Sequence, residues 1–342
     1  LECLDDFTIV GNDLTIDSHH ALLIALTCSS DGSLMIFRAS DADDFCATGE
    51  TIVGDLYISP IDTGPVDLSC ITAVTGKVEM EYAKSSSIDL SGTVSIGEAL
   101  NIQDNYDTEG IDFASLVGVG EGFSLTNNRD LSELTLPSLE TVDGQMSISS
   151  NTSLDSFSAP SLSLIDGSLQ INSNNGMEEI VFDNLETIEG EIRMDWNNSI
   201  QLLSLPNLTE VSGQVYLYYN ESLETVDLSS LLEIGSSLQV QYNNQLETFH
   251  LSSLVKVNGS LTIESANPMD ELNLSELQEV NGNFSVSSCS SIASLHAPNL
   301  NDLSGSLTIR DEAVQRAASL LERCSQVTQQ PSSTPTAPSS AS

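Results

Sequence analysis

The sequence has very few basic residues. Nine Lys and Arg stand against 50 Asp and Glu in 342 residues, which gives a formal net charge of −41. Binding to a nucleic-acid backbone needs a basic face, so this composition excludes nucleic acid as a partner. Hydrophobic residues still make up 39% of the chain, which is enough to bury a core in a chain of this size. The sequence therefore predicts a folded, strongly acidic protein.

Long apolar runs and metal-binding spacings are also missing. The longest apolar stretch covers residues 21–26, whereas a membrane-spanning helix needs about 20 residues. The six cysteines show no CxxC spacing and the four histidines are scattered, so neither a structural zinc site nor a cofactor is expected.

Three disulfides in an exported protein are the better interpretation of the cysteines. Six cysteines allow 15 connectivities. We favour Cys28–Cys46 and Cys289–Cys324, which would each attach a cap to a coil, and Cys3–Cys70 by elimination.

A repeat with a period of about 23 residues is the main signal in the chain. A Gly opens the same phrase at 144, 167, 190, 213, 259, 282 and 305, and about twelve such coils can be counted. Apolar residues alternate after each Gly and again later in the coil, which predicts two short strands per coil. Prolines recur at 137, 160, 206 and 298 and argue against a helix. We expect Gly at the start of each coil to supply the corner conformation.

These features predict an all-β fold, a right-handed parallel β-helix of leucine-rich L-domain type. Asn recurs at one position of the coil, at 105, 128, 151, 174, 197, 220 and 243. A column of buried amides can satisfy backbone groups at the corners, so we predict an Asn ladder.

The solenoid is predicted to span residues 54–310, between two caps that cover its open sheet edges. Residues 1–53 form the N-terminal cap, in which residues 40–46 are expected to be a capped helical turn with acidic residues at its start. Asp41, Asp43 and Asp44 are an alternative calcium site, although no suitable Gly-rich loop follows. A capping helix is expected over 311–325 and a disordered Ser/Thr/Pro-rich stalk over 326–342.

Three segments carry a resemblance to a known family: Asp41-Ala42-Asp43-Asp44-Phe45-Cys46, then Thr51-Ile52-Val53-Gly54-Asp55-Leu56-Tyr57-Ile58, then Leu136-Pro137-Ser138-Leu139-Glu140-Thr141-Val142-Asp143-Gly144. Over about residues 28–310 the chain resembles the fungal GPI-anchored cell-wall organisation proteins of the extracellular-mutant and sporulation-specific type, with a receptor L-domain-like fold. The resemblance implies a secreted glycoprotein at the cell wall or outer face of the plasma membrane, held there by a lipid anchor.

The chain departs from that family in three places. Residues 1–27 have no counterpart, and the predicted helix over 311–325 stands where the family has a Cys-rich segment. A hydrophobic GPI signal is also absent, although such a tail is removed on anchoring.

Seven N-x-S/T sequons occur, and their phase in the repeat separates them. Asn151, Asn197 and Asn220 fall on the predicted ladder, where a glycan would disrupt amide pairing. Glycans are instead predicted on the four sequons that flank inward positions, Asn207, Asn258, Asn273 and Asn283.

The candidate ligand-binding surface is an aromatic cluster on three consecutive coils. Trp196, Tyr219 and Tyr242 share one position of the repeat, and Tyr216 and Tyr218 point outward from a strand. Four polar residues neighbour them: Arg193, Asp195, Gln239 and Gln241. Such a patch suits a polysaccharide or a protein partner. The alternative is that Trp196, Tyr219 and Tyr242 turn inward at the corner as packing.

Catalysis is not expected, because the basic residues are scattered and no Ser/His/Asp arrangement or phosphate loop accompanies the acidic pairs. The sequence favours a non-enzymatic surface glycoprotein that supports cell-wall organisation by binding wall polysaccharide or a neighbouring protein. The alternative is an adhesion or receptor ectodomain with a protein ligand.

Overall fold

A computed structural model describes residues 32–47, 50–60, 62–289 and 291–310. Within these ranges the regular elements are short parallel strands and one helix, α1 (Ala39–Cys46). The predicted capping helix, the stalk, Cys3, Cys28 and Cys324 lie outside the described residues. Within the described part of the chain, no helix is long and apolar enough to cross a bilayer.

The strands form three faces of a solenoid, so the prediction of two strands per coil is wrong by one strand. The longest sheet has 13 strands: β1 (Leu34–Ile36), β3 (Leu56–Ile58), β6 (Val78–Glu81), β9 (Leu100–Gln103), β12 (Phe123–Thr126), β15 (Met146–Ser149), β18 (Leu169–Asn172), β21 (Ile192–Asp195), β24 (Val215–Tyr218), β27 (Leu238–Gln241), β30 (Leu261–Glu264), β33 (Phe284–Ser287) and β36 (Leu307–Ile309).

The second face is a sheet of 12 two-residue strands: β2 (Thr51–Ile52), β5 (Ala73–Val74), β8 (Ser95–Ile96), β11 (Gly118–Val119), β14 (Thr141–Val142), β17 (Leu164–Ile165), β20 (Thr187–Ile188), β23 (Glu210–Val211), β26 (Glu233–Ile234), β29 (Lys256–Val257), β32 (Glu279–Val280) and β35 (Asp302–Leu303).

The third face is divided into three sheets. They contain β4 (Val66–Asp67), β7 (Ser87–Asp89) and β10 (Gly110–Asp112); then β13 (Glu133–Thr135) and β16 (Ser156–Ser158); then β19 (Glu179–Val181), β22 (Leu202–Ser204), β25 (Thr225–Asp227), β28 (Thr248–His250), β31 (Glu271–Asn273) and β34 (Ser294–His296). A cleft of roughly 680 Å3 opens at the second break, lined partly by Asp155, Glu178 and Glu179.

The register confirms the predicted solenoid of about twelve coils. From β9 onward each strand of the long sheet pairs in parallel with its counterpart one full repeat later, as Leu100 does with Phe123. In the first coils the step is one residue shorter, as from Leu56 to Val78. Inward-facing residues alternate with outward ones along every strand, so the apolar side chains form one continuous core along the axis. Strands β1 and β2 and helix α1 all lie within residues 1–53, so the sheets begin inside the segment predicted as the N-terminal cap.

The predicted Asn ladder is confirmed. All seven ladder asparagines are fully buried. Each side-chain nitrogen donates to a main-chain carbonyl in the preceding coil, for example Asn174 Nδ2 to Ile148 O at 2.8 Å. Each of the six from Asn128 to Asn243 also accepts the backbone N–H of the ladder residue before it, as Asn174 Oδ1 does from Asn151 at 3.1 Å. Buried polar groups without such partners would cost stability, so the ladder secures the corner of each of these seven coils.

The predicted corner conformation of the coil-opening glycines holds at Gly54 and is wrong for the others. Of the described glycines only Gly32 and Gly54 have a positive φ. Glycine is instead required by close stacking, because a Cβ on Gly190 would lie 2.6 Å from the carbonyl carbon of Gly167.

The left-handed conformation occurs one residue before the ladder. Ten non-glycine residues have φ between 51° and 60° and form what we call the outer corner column: Tyr82, Asp104, Asn127, Ser150, Ser173, Trp196, Tyr219, Tyr242, Ser265 and Ser288. This conformation is strained for residues with a Cβ, and in seven of the ten a buried ladder amide follows directly.

Two of the three predicted disulfides are also wrong. Cys46 is bonded to Cys70, with their Cα atoms 5.6 Å apart, which excludes both Cys28–Cys46 and Cys3–Cys70. Helix α1 packs against β1 and β4, and this packing brings its last residue over the turn that follows β4. The two cysteines are 24 residues apart, about one coil, so they are stacked neighbours.

Two other cap predictions involve described residues. Asp41 in the first turn of α1 accepts the backbone N–H of Arg38 at 2.9 Å, which is the role expected of an acidic residue at a helix start. Cys289 is fully buried, with its Sγ 3.2 Å from the carbonyl oxygen of Ser287. Its pairing with Cys324 stays a prediction.

Candidate ligand-binding surface

The predicted site residues on the long sheet are aligned in rows by the strand register. Arg193 on β21, Tyr216 on β24 and Gln239 on β27 are register partners, and all three point outward. Asp195, Tyr218 and Gln241 form the next row. Parallel in-register strands repeat about every 4.8 Å, so the structure brings all nine predicted residues, Arg193, Asp195, Trp196, Tyr216, Tyr218, Tyr219, Gln239, Gln241 and Tyr242, onto one surface. We call this the aromatic surface.

Three rings of the outer corner column are stacked. The Trp196 and Tyr219 rings lie 4.5 Å apart at 15°, and the Tyr219 and Tyr242 rings lie 4.6 Å apart at 7°. Trp196 is 51% exposed, whereas Tyr219 and Tyr242 are half-buried because their neighbours cover them. The alternative that this column turns inward is therefore wrong, since its rings line the outside of the corner.

Tyr218 joins the column to the sheet. Its ring stacks on Tyr216 at 5.3 Å and meets the edges or faces of Tyr219 at 4.4 Å and Tyr242 at 5.3 Å, nearly at right angles. Partial burial raises the pKa of both Tyr216 and Tyr218 above the usual value. Both hydroxyls are thus neutral hydrogen-bonding groups at any physiological pH.

A charged pair lies beside the rings. The guanidinium of Arg193 donates to Asp195 Oδ2 at 2.9 Å and lies 5.1 Å from the centre of the Tyr216 ring. The hydrogen bond to Asp195 raises the pKa of Arg193. Asp195 is only 6% exposed, although its position in the strand predicts an outward residue; Arg193 and the amide of Asn172, which donates to Asp195 Oδ1, satisfy it. The pair is mutually neutralised, so the surface presents little net charge.

The glutamines complete the C-terminal side of the aromatic surface. Gln241 Nε2 donates to Glu264 Oε2 at 3.0 Å, and Gln239 lies half-buried beside Tyr216. Amides in this position can donate to and accept from hydroxyl groups of a ligand.

A second cluster on the same edge was missed by the sequence reasoning. Tyr106 donates from its hydroxyl to Asp104 Oδ1 at 2.8 Å and accepts from Asn127 Nδ2 at 2.9 Å. The guanidinium of Arg129 lies 4.9 Å from the Tyr106 ring centre, and Tyr82 is 56% exposed. The hydrogen bond to Asp104 raises the pKa of Tyr106. Tyr82 occupies the same position of the repeat as Trp196, so the repeat phase alone could have indicated an exposed ring here. We call these five residues the N-terminal tyrosine cluster.

The predicted glycosylation sites differ in exposure. Asn207 and Asn283 are exposed, and Asn258 and Asn273 are half-buried. The three ladder sequons, Asn151, Asn197 and Asn220, are fully buried. Glycan attachment at the first four stays a prediction.

The fold defines the class of the chain: a repeat solenoid of the L-domain type with an outward-facing ring surface. The match to known families agrees, because residues 140–253 fit the family model of the receptor L domain. That segment contains the whole aromatic surface. None of the curated proteins compared with the chain is similar enough to count as a relative. The L-domain match and the Cys46–Cys70 disulfide together indicate an extracellular ligand-binding domain.

Proposed function

We propose that this protein is a non-enzymatic cell-surface glycoprotein that binds neutral wall polysaccharide through its aromatic surface and so supports fungal cell-wall organisation. The observation that carries the proposal is the stack of Trp196, Tyr219 and Tyr242 on the outside of the solenoid. Sugar rings present apolar C–H faces that lie on aromatic rings, while their hydroxyls bond to a polar rim.

The charge distribution favours a neutral glycan. A chain with a net charge of −41 repels anionic polymers, and the only cation on the aromatic surface, Arg193, is paired with Asp195. The exposed groups that remain are rings, hydroxyls and amides, which bind sugar hydroxyls without needing an opposite charge on the ligand.

The same pairing argues against glycosidic cleavage here. A hydrolase needs two carboxyl groups facing the scissile bond. On this surface Asp195 is buried against Arg193 and Asn172, and the adjacent Glu264 accepts from Gln241.

The location that fits this role is the cell wall or the outer face of the plasma membrane. Attachment through a GPI anchor after the Ser/Thr/Pro-rich segment 326–342 rests on the family resemblance of the sequence, and membrane contact would be through that anchor alone. Glycans at Asn207, Asn258, Asn273 and Asn283 belong to the same proposal.

A protein ligand is the second candidate, because the receptor L domain match indicates a ligand-binding ectodomain. Tyr, Trp and Arg side chains are also the residues most often responsible for binding energy in protein interfaces. A protein partner of this acidic chain would be basic, so its binding would weaken as salt is added.

The experiment is a pull-down on insoluble glucan, mannan and chitin with the wild type and the Trp196→Ala/Tyr242→Ala variant. We expect the wild type to be retained on at least one polymer and the variant to bind at least about tenfold more weakly, since two stacking contacts of about 1 kcal/mol each are lost. Retention should be insensitive to salt.

The matched control is Leu232→Ala, which removes an exposed apolar side chain, 49% exposed, on a different face. It should bind as the wild type does, and thermal melts should show all three proteins folded. If the folded wild type binds none of the polymers, the glycan proposal is wrong, and salt-sensitive capture of a basic surface protein would then support the second candidate.

A further inference from the structure

The N-terminal tyrosine cluster and the aromatic surface lie on the same edge of the solenoid. Tyr82 and Trp196 both belong to the outer corner column, in which every member has the same left-handed backbone and so the same direction away from the core. Five coil steps separate them, which is about 24 Å at a strand spacing of about 4.8 Å.

The corner between the two clusters carries no large side chain. The outer column residues that lie between the two clusters are Ser150 and Ser173, both half-buried. On the sheet beside Ser150 and Ser173 the outward residues carry no aromatic ring, with Ser147 and Ser149 in register with Gln170 and Asn172. An extended chain can therefore follow this edge without meeting a steric block.

The N-terminal tyrosine cluster has the same chemistry as the aromatic surface. It offers two exposed rings, one of them beneath an Arg guanidinium, and a rim of hydroxyl, amide and carboxylate groups. Hydrogen bonds from Tyr106 to Asp104 and from Asn127 to Tyr106 hold the second ring in place. Fixed rings lose little conformational freedom on binding, which favours affinity.

We infer that the two clusters are the ends of one binding track, along which a linear neutral polysaccharide lies parallel to the solenoid axis. The inference rests on the proposed function and extends it: the ligand is a long chain, and a short oligosaccharide fills only the aromatic surface. Engagement of the second cluster is then intramolecular, and its effect on affinity depends on the length of the ligand.

The test is a series of soluble linear oligosaccharides, from dimers upward, of whichever polymer the wild type binds, measured by calorimetry. We expect a plateau for short chains and then a gain of about a hundredfold once the chain is longer than about 24 Å. The Tyr82→Ala/Tyr106→Ala variant should bind short chains as the wild type does and lose the gain for long ones. Tyr82→Ala alone leaves the hydrogen bonds of Tyr106 intact and should lose part of the gain. It therefore tests the inference even if the double variant does not fold.

The possible failures are distinguishable. Absence of wild-type binding to every oligosaccharide overturns the proposed function and this inference with it. Binding of short chains without any increase for long ones, or an unchanged increase in the folded Tyr82→Ala/Tyr106→Ala variant, overturns the inference alone.

Discussion

The coils before and after Asn105 are held to their neighbours by different interactions. From Asn105 to Asn220 each corner contains a buried amide bonded to the coils on both sides, and the last ladder amide, Asn243, is bonded to the coil before it. In the coil before, the ladder position is occupied by Ala83, and Asn105 accepts its backbone N–H at 2.8 Å. The first coils have instead a disulfide, Cys46–Cys70, and helix α1.

The difference shows that one stacking geometry can be secured in two ways. A ladder distributes its stabilisation evenly, so each coil depends on its nearest neighbours. A disulfide concentrates its effect on the segment that it closes, mainly by restricting the unfolded chain. Loss of one ladder amide should therefore weaken the middle of the molecule, whereas loss of the disulfide should weaken the N-terminal coils.

The largest effect is expected from Asn174→Ala. The substitution leaves the carbonyl of Ile148 and the backbone N–H of Asn151 buried without their partners, and each such group costs about 1–3 kcal/mol. We expect the free energy of unfolding to fall by about 4 kcal/mol in urea denaturation. Ser173→Ala, one residue away in the outer corner column, is the control and should change it by less than about 0.5 kcal/mol. Equal losses in the two variants would contradict the ladder's role.

Removal of the disulfide comes next. Cys46→Ser/Cys70→Ser should lower stability by about 3 kcal/mol, the value typical of a closed loop of this size. Hydrogen exchange should become faster in strands β1 to β7 and stay unchanged in strands β18 to β27. A uniform increase along the whole solenoid would show that the disulfide acts globally and would remove the distinction drawn between the two regions.

The smallest effect is expected from an extension of the ladder. Ala266 is fully buried at the ladder position that follows Asn243. An Ala266→Asn substitution would place an amide where it can accept from Asn243, and we expect a gain of about 1 kcal/mol, typical of one net hydrogen bond. Thermal unfolding of this variant beside the wild type measures the change, and a loss of stability would mean that the corner has no room for the amide.

The sequence predicted the solenoid and its ladder because a constant repeat period makes the phase of every side chain visible. The stacked column of Trp196, Tyr219 and Tyr242 was predicted for the same reason, since residues with the same offset must stack. The left-handed corner was not predicted, because residues as different as Trp196, Ser150 and Asp104 adopt it and residue type gave no hint.

Two other features depend on information that the repeat does not contain. Cys46–Cys70 lies where the coil step is one residue shorter than in the rest of the solenoid and a helix interrupts the strands, so the phase of Cys46 could not be assigned. The burial of Asp195 depends on Arg193 and Asn172 covering it, which is a matter of side-chain contact and not of position in the strand.

The direction of the hydrogen bonds in the three faces has a mechanical consequence. The backbone hydrogen bonds between coils run along the solenoid axis, so any tension applied between the two ends of the solenoid acts along those bonds. One released coil of about 23 residues adds up to about 80 Å of chain, at about 3.3–3.6 Å per residue. The molecule can thus lengthen in steps while the remaining coils stay folded, and Cys46–Cys70 withholds the length of one such step.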